Sequence, residues 1–216
     1  MLSRPIINQR TDEMNTYRIE QGDENYPPEL NNYLGDGAPK SIDAIGNIEI
    51  LKTKSLALFC SNKCPGNVII KTYDFMRQIR ENGVTVISGF HSAIERECLN
   101  ILLRGTQPII YSPARSIEGM KIRPELRKPL DEGRLLILSP FASKHNRISA
   151  DRSEARNHVV AAIAHSALIP YAAEKSKTAE LSHLLMSWKK PISSLQSTED
   201  FELCQTRILA EFITRR

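Results

Sequence analysis

Short apolar runs alternate with segments of helical spacing along most of this chain, starting at residue 55. The first run, SLALFC at 55–60, precedes a segment whose apolar residues recur at helical spacing until Gly83. The pattern predicts strands over residues 55–60, 84–87, 107–111, 134–138, 168–172 and 191–194. It predicts helices over residues 66–82, 91–104, 123–132, 153–166, 178–189 and 198–214. Because such alternation is typical of βαβ units, we expect an α/β fold: a Rossmann-like, mostly parallel sheet with helices on both faces.

The expected domain organisation follows from the length of the chain and from a change of composition near residue 25. A chain of 216 residues has room for one domain with short additions. Residues 1–25 are polar with little apolar periodicity, and YPPEL at 26–30 is a turn followed by a short helical approach. We therefore expect a polar N-terminal arm at 1–25 and a single Rossmann-like domain at 26–216.

The charge of the chain is unevenly distributed. The net charge is +4, but residues 1–50 carry −5 and residues 51–216 carry +9. A basic body suits a surface that binds a polyanion, although a solvated, mildly basic exterior explains the same numbers. No apolar run approaches the roughly 20 residues that cross a bilayer, and the start lacks the apolar stretch of a signal peptide. We expect a cytoplasmic protein without a membrane partner.

The cysteines argue against a metal site. Cys60, Cys64, Cys98 and Cys204 are scattered, and the spacing of the first two is not that of a CxxC motif. Reduced thiols fit this arrangement, and we expect neither a metal nor a cofactor. No ordered Ser/His/Asp set and no convincing pair of carboxylates indicates catalysis, so the sequence favours a binding protein over an enzyme.

The ends of the predicted strands are the expected place for a ligand, since open α/β sheets bind ligands at the carboxyl ends of their strands. After the first predicted strand, Ser61 and Lys63 precede a helix start, where backbone N–H groups bind phosphate. An ordinary capped turn explains the same residues. After the second, Gly89 follows Ser88 and would let the backbone approach a ligand. His91 and Glu95, four residues apart, form either an acid–base pair or a surface hydrogen bond.

The segments at 139–146 and 173–177, with the helix after the first of them, add further candidate contacts. Lys144, Arg147, Arg156 and Asn157, with the nearby aromatic Phe141, form a plausible site for phosphates and stacked bases. The alternative is a solvated loop whose helix is capped by a serine. In the last segment, Lys175 and Ser176 precede a helix start, where the helix dipole favours an anion.

Five strings in this order resemble the DNA-processing protein A (Smf) family. They are YPPEL at 26–30, CSNK at 60–63, VISGFHSAIE at 86–95, ARNHVVAAI at 155–163 and EKSKTA at 174–179. The resemblance implies a Rossmann-like core that binds single-stranded DNA, in the context of recombinase loading or DNA uptake. It also implies a set of pocket residues at the strand ends: Lys63, Ser88, Gly89, Arg156, Asn157 and Ser176.

The sequence leaves two other functions and one assembly open. One function is a nucleotide-binding or nucleotide-hydrolysing protein of the lysine-decarboxylase-like Rossmann class, with Glu95 as its polar anchor. The other is a scaffold that has lost ligand binding. Members of the DNA-processing protein A family often form dimers, and the last predicted helix carries an apolar stripe. Its members are Phe201, Ile208, Leu209 and Phe212, which serve either a homodimer or the protein's own core.

Overall fold

A computed structural model describes residues 16–142, 145 and 147–213, and in it eight strands form one mixed sheet. In spatial order the strands run β1-β2-β6-β5-β4-β3-β7-β8. Their bounds are β1 Thr16–Glu20, β2 Ser41–Gly46, β3 Ser55–Leu58, β4 Thr85–Ser88, β5 Ile109–Tyr111, β6 Leu135–Ser139, β7 Ser166–Leu168 and β8 Ile192–Ser193. The six strands from β6 to β8 are all parallel, which confirms the expected Rossmann-like sheet.

Seven α-helices connect or flank the strands in the described part of the chain. They are α1 Pro28–Leu34, α2 Gly66–Glu81, α3 Ala93–Leu103, α4 Pro124–Asp131, α5 Ala150–Ile163, α6 Lys177–Ser187 and α7 Thr198–Ile213. Two short 3₁₀ turns, Gly35–Gly37 and Ile48–Lys52, flank β2. Each predicted helix is present within a few residues of its expected bounds.

The helices cover both faces of the sheet, as expected for buried parallel strands. One apolar cluster joins α2, α3, α4 and α7 to the sheet, for example through Phe75 and Leu102. The other cluster joins α1, α5 and α6 to the opposite face, for example through Leu30, Val160 and Leu185. Each parallel strand therefore loses water on both sides, which explains why its sequence is a continuous apolar run.

The strand order reverses direction between β3 and β7, and this reversal positions the site. From β3 the chain moves through β4, β5 and β6 towards one edge, and then α5 carries it back to β7 on the other side of β3. The loops after β3 and β7 consequently lead into helices α2 and α6 on opposite faces of the sheet, and doubly wound sheets bind ligands at the strand ends of such a reversal.

The N-terminal side of the sheet differs from the expectation. The sheet includes Thr16–Glu20, although the sequence predicts a polar arm over residues 1–25. The first strand therefore lies within the predicted arm. β1 pairs antiparallel with β2, and β2 antiparallel with β6. Arg18 and Asp43 form an ion pair across β1 and β2 with a 2.8 Å N–O distance. Residues 1–15 lie outside the described part.

Two boundaries near the site also shift. Helix α5 begins at Ala150 rather than residue 153, because the Ser149 hydroxyl accepts a hydrogen bond from the Arg152 N–H at 3.2 Å and caps the helix. Strand β7 covers Ser166–Leu168 rather than 168–172, and Pro170, which has no N–H for a ladder, lies just beyond it.

Helix α7 directs part of its predicted apolar stripe into the protein's own core. Ile208 is buried, and Phe212 packs against the same cluster and meets His165 edge-on, with ring centroids 6.2 Å apart. The side chains of Phe201 and Leu209 lie outside the described set. The stripe as a whole is therefore not a free face for a dimer.

Candidate nucleic-acid interface

The loops after β3 and β7 are tied together by hydroxyl groups. The Ser61 N–H donates to the Tyr171 carbonyl at 3.1 Å, and the Ser61 hydroxyl accepts from the Ala173 N–H at 3.0 Å. The hydroxyls of Ser61 and Ser176 are 3.2 Å apart, and Ser176 also caps α6 through the Ala179 N–H. Two of the predicted site residues, Ser61 and Ser176, therefore meet at the point where the strand order reverses.

Two exposed lysines belong to these joined loops. Lys63 lies in the loop that leads to the first turn of α2, and Lys175 directly precedes the Ser176 cap of α6. Lys175 adopts φ 54°, a left-handed conformation that is uncommon for a side chain of this length. The next lysine, Lys177, is committed elsewhere, because its ammonium pairs with Glu154 at 3.3 Å and Glu180 at 2.8 Å. Lys63 and Lys175 are the better candidates for contacts with an anion.

A buried arginine lies under the end of β4. Arg156 is only 3% exposed, and its Nη1 donates to the Ser112 carbonyl at 2.7 Å. Its Nε donates to the Asn157 side chain at 2.9 Å. A Cβ added at Gly89 would lie 1.3 Å from Nη1, so this guanidinium occupies the space that a side chain would need. The sequence predicts Arg156 as a ligand contact on a helix, but it does not predict that the side chain is buried.

The charge of Arg156 lacks a close counter-charge. No ion pair joins it to a carboxylate within the described residues. Burial lowers the pKa of Arg156, whereas the more distant charge of Glu95 raises it. A buried guanidinium bonded only to neutral acceptors is suited to an incoming anion, because a phosphate at the strand ends would supply the missing negative charge.

Glu95 is used inside the fold. Its carboxylate accepts hydrogen bonds from the backbone N–H groups of Cys60 at 3.0 Å, His91 at 2.8 Å and Ser92 at 3.3 Å. The Ser92 hydroxyl in turn accepts from the Glu95 N–H, which completes a capping box at the start of α3. Glu95 thus joins the loops after β3 and β4, and its two oxygens are not turned to an open crevice.

The remaining predicted residues divide into structural and exposed groups. The hydroxyl of Ser88 is buried, donating to the Leu58 carbonyl at 2.8 Å and accepting from the Phe90 N–H at 3.1 Å. His91 and Arg147 are exposed, and Asn157 is half-buried beside Arg156. Lys144 lies outside the described residues. The ligand contacts of these residues therefore stay predictions.

An aromatic cluster at the same sheet edge was not predicted. Phe90 and Tyr111 follow β4 and end β5, with ring centroids 6.3 Å apart. The Arg123 guanidinium lies over the Tyr111 ring, 5.6 Å from its centroid. The sequence predicts a strand over residues 107–111, but no candidate residue was named at its end. A tyrosine that closes an apolar run is indistinguishable in sequence from a core residue.

The described thiols and carboxylates do not gather into a metal-binding cluster. No group of three or more His, Cys, Asp or Glu side chains there has an arrangement that could hold a metal ion. Burial raises the pKa of Cys60 and, to a smaller extent, that of Cys64, so both thiols are weak nucleophiles at neutral pH. None of the helices within the described residues has the length and apolarity needed to cross a membrane.

Comparisons with known proteins agree with this architecture. The structure resembles DNA processing protein A from Streptococcus pneumoniae, at 18% identity and TM-score 0.71, covering 90% of this chain and 74% of that one. It also resembles DNA processing protein A from Helicobacter pylori, described with its single-stranded DNA binding mode, at 18% identity and TM-score 0.66, covering 92% and 94%. None of the curated proteins compared matched the sequence. The family model of DNA recombination-mediator protein A matches residues 18–205, and the chain therefore belongs to that family.

Proposed function

We propose that this protein binds single-stranded DNA, without cleaving it, in the crevice at the carboxyl ends of the parallel strands. The observation that carries the proposal is the buried guanidinium of Arg156, whose hydrogen-bond acceptors among the described residues are neutral and which lies against Gly89 at a strand end. Membership of the recombination-mediator family and the described DNA binding of the Helicobacter pylori relative support DNA as the anion.

The surroundings of Arg156 suit a phosphate backbone better than one isolated anion. Lys63 and Lys175 are exposed on the two loops that Ser61 and Ser176 join, and Arg147 is exposed before α5. The first turns of α2 and α6 begin at the same loops, and helix N-termini attract phosphate. We therefore assign the phosphate contacts to Lys63, Lys175, Arg147 and Arg156.

Salt-dependent binding tests this proposal. A fluorescein-labelled oligothymidylate should bind with micromolar or tighter affinity at low salt. The logarithm of the association constant should fall linearly with that of the salt concentration, by about 0.7 for each phosphate contact on a single strand. Lys63→Ala and Lys175→Ala should each reduce that slope by about 0.7. Lys54→Ala is the matched control, because Lys54 is also exposed but directly precedes β3, at the amino ends of the strands.

Two results would contradict DNA binding. Absence of binding at low salt, or an affinity that does not change with salt, would contradict the proposed phosphate contacts. Displacement of the oligonucleotide by micromolar mononucleotide would instead favour the nucleotide-binding alternative. That alternative has lost its proposed anchor, since the oxygens of Glu95 already accept from three backbone N–H groups.

The proposal extends to partners and place of action. The family description, recombination mediation, supports a recombinase as the partner. We extend the proposal to action in the cytoplasm. A homodimer through α7 would have to use the side of Leu203, which is 69% exposed, since Ile208 faces the core. Sedimentation across micromolar concentrations tests the dimer: a mass near 24.4 kDa throughout excludes it, and twice that mass supports it.

A further inference from the structure

The aromatic cluster at the ends of β4 and β5 has the properties of a stacking surface. Tyr111 is half-buried, so part of its ring faces solvent, while Phe90 packs beside it with planes inclined by 38°. Arg123 lies over the ring at 5.6 Å. Aromatic faces and arginine planes are the surfaces on which proteins stack unpaired bases.

The backbone holds Phe90 in an unusual conformation to build this cluster. Phe90 has φ 46°, a left-handed value that is rare for a bulky side chain. The buried Ser88 hydroxyl accepts the Phe90 N–H at 3.1 Å and fixes the turn. Strained residues of this kind cluster at binding sites, because the surrounding structure must hold them there. In this conformation the Phe90 ring is buried, and its centroid lies 6.3 Å from that of Tyr111.

We propose that the Tyr111 ring is a nucleobase subsite, and that it makes the crevice selective for single strands. This inference rests on the proposed DNA binding. Ser112, which follows Tyr111 directly, accepts the hydrogen bond of Arg156, so a phosphate at Arg156 and a base on Tyr111 would belong to the same short stretch of nucleotides. In a duplex both faces of each base are covered by neighbouring bases, and Tyr111 would have no face to contact.

Arg123 does not block such a subsite. Its side chain is 45% exposed and forms a solvent-exposed ion pair with Glu125, with a 3.2 Å N–O distance. An exposed cation–π contact is weaker than the stacking of a base on an aromatic ring. A base therefore displaces the guanidinium from the ring, and the guanidinium remains close enough to stack on the outer face of that base.

Substitution of the ring tests the proposal. Tyr111→Leu should weaken binding to labelled oligothymidylate by about 5- to 150-fold, the range for loss of one stacked base. The salt slope should not change, because no phosphate contact is removed. Tyr111→Phe should bind nearly as wild type, since it keeps the ring. Tyr17→Leu is the matched control, since Tyr17 is also half-buried but lies on the edge strand β1.

An oligonucleotide without bases separates stacking from backbone contacts. The wild type should bind an abasic strand more weakly than oligothymidylate. Tyr111→Leu should lose much less affinity when the abasic strand replaces oligothymidylate. Equal losses in both proteins, or unchanged affinity of Tyr111→Leu for oligothymidylate, would overturn the subsite while leaving DNA binding intact. Failure of the wild type to bind either strand would instead overturn the proposed function.

A measurement on the unmodified protein covers the case in which Tyr111→Leu does not fold. 2-Aminopurine placed along an oligonucleotide should lose fluorescence at one position when the wild-type protein binds, because stacking on a ring quenches it. Binding that changes the anisotropy of the strand but leaves 2-aminopurine unquenched at every position would overturn the proposal.

Discussion

The contact between Gly89 and Arg156 makes a quantitative prediction about a single methyl group. A Cβ at residue 89 would lie 1.3 Å from Nη1 and 1.8 Å from Cζ of Arg156, so Gly89→Ala must displace the guanidinium. Displacement breaks the 2.7 Å bond to the Ser112 carbonyl and strains the 2.9 Å bond to Asn157. Hydrogen bonds of charged groups and overpacking each contribute a few kcal/mol, so we expect a loss of about 2–4 kcal/mol in the free energy of unfolding.

Urea unfolding of a double-mutant cycle measures this loss. In the Arg156→Ala background the same Gly89→Ala change should cost less than about 0.5 kcal/mol, since the clashing atoms are gone. Gly66→Ala is the matched control, because nothing lies within 4 Å of its added Cβ. It should be neutral or stabilising by up to about 1 kcal/mol. An equal cost of Gly89→Ala in both backgrounds would refute the contact as the reason for glycine at this position.

Three further predictions concern other parts of the fold. Burial lowers the pKa of Lys190 from 10.5 to about 8, so the unfolded chain holds the extra proton between these values. The free energy of unfolding measured in urea should consequently rise between pH 8 and pH 10.5. In Lys190→Met this contribution to the rise should be absent. Glu95→Ala should lower thermal stability by about 3 kcal/mol, because it leaves the buried Cys60 N–H without its acceptor; an unchanged melting temperature would contradict this role. Ile208→Ala should cost about 2–5 kcal/mol in chemical denaturation, whereas Leu203→Ala should stay within about 0.5 kcal/mol, and equal effects would contradict the burial of α7.

The parallel part of the fold was predictable because its strands and helices carry their own signals. Buried parallel strands are continuous apolar runs, and helix α2 combines apolar spacing with a glycine at its end. Strand β1 gives no such signal, since Ile19 is its only buried side chain among those described. Its place in the sheet depends on β2 and β6, which are remote in sequence, and period-based analysis does not detect such pairing.

The location of the candidate site was predictable from the sequence, but the burial of its individual side chains was less so. The rule for strand ends selects the loops that contain Ser61, Gly89 and Ser176, and the structure brings the first and last of these together. The burial of Arg156 was not predictable, because an arginine near a predicted helix start is ordinarily solvated. Its burial depends on the absent Cβ of Gly89, a relation between two distant residues that neither position reveals alone.

The pairing of β2 with β6 has a consequence for biosynthesis. Asp43 faces Ser139 in the ladder, so β2 must wait for a partner that lies 96 residues further along the chain. At a synthesis rate of about 5–20 residues per second, that delay is about 5–20 s. Until then β1 and β2 have only each other, and a lone two-stranded ribbon is marginally stable in water. Ile42 and Ala44, which are fully buried in the finished sheet, remain accessible throughout this interval to chaperones or to other nascent chains.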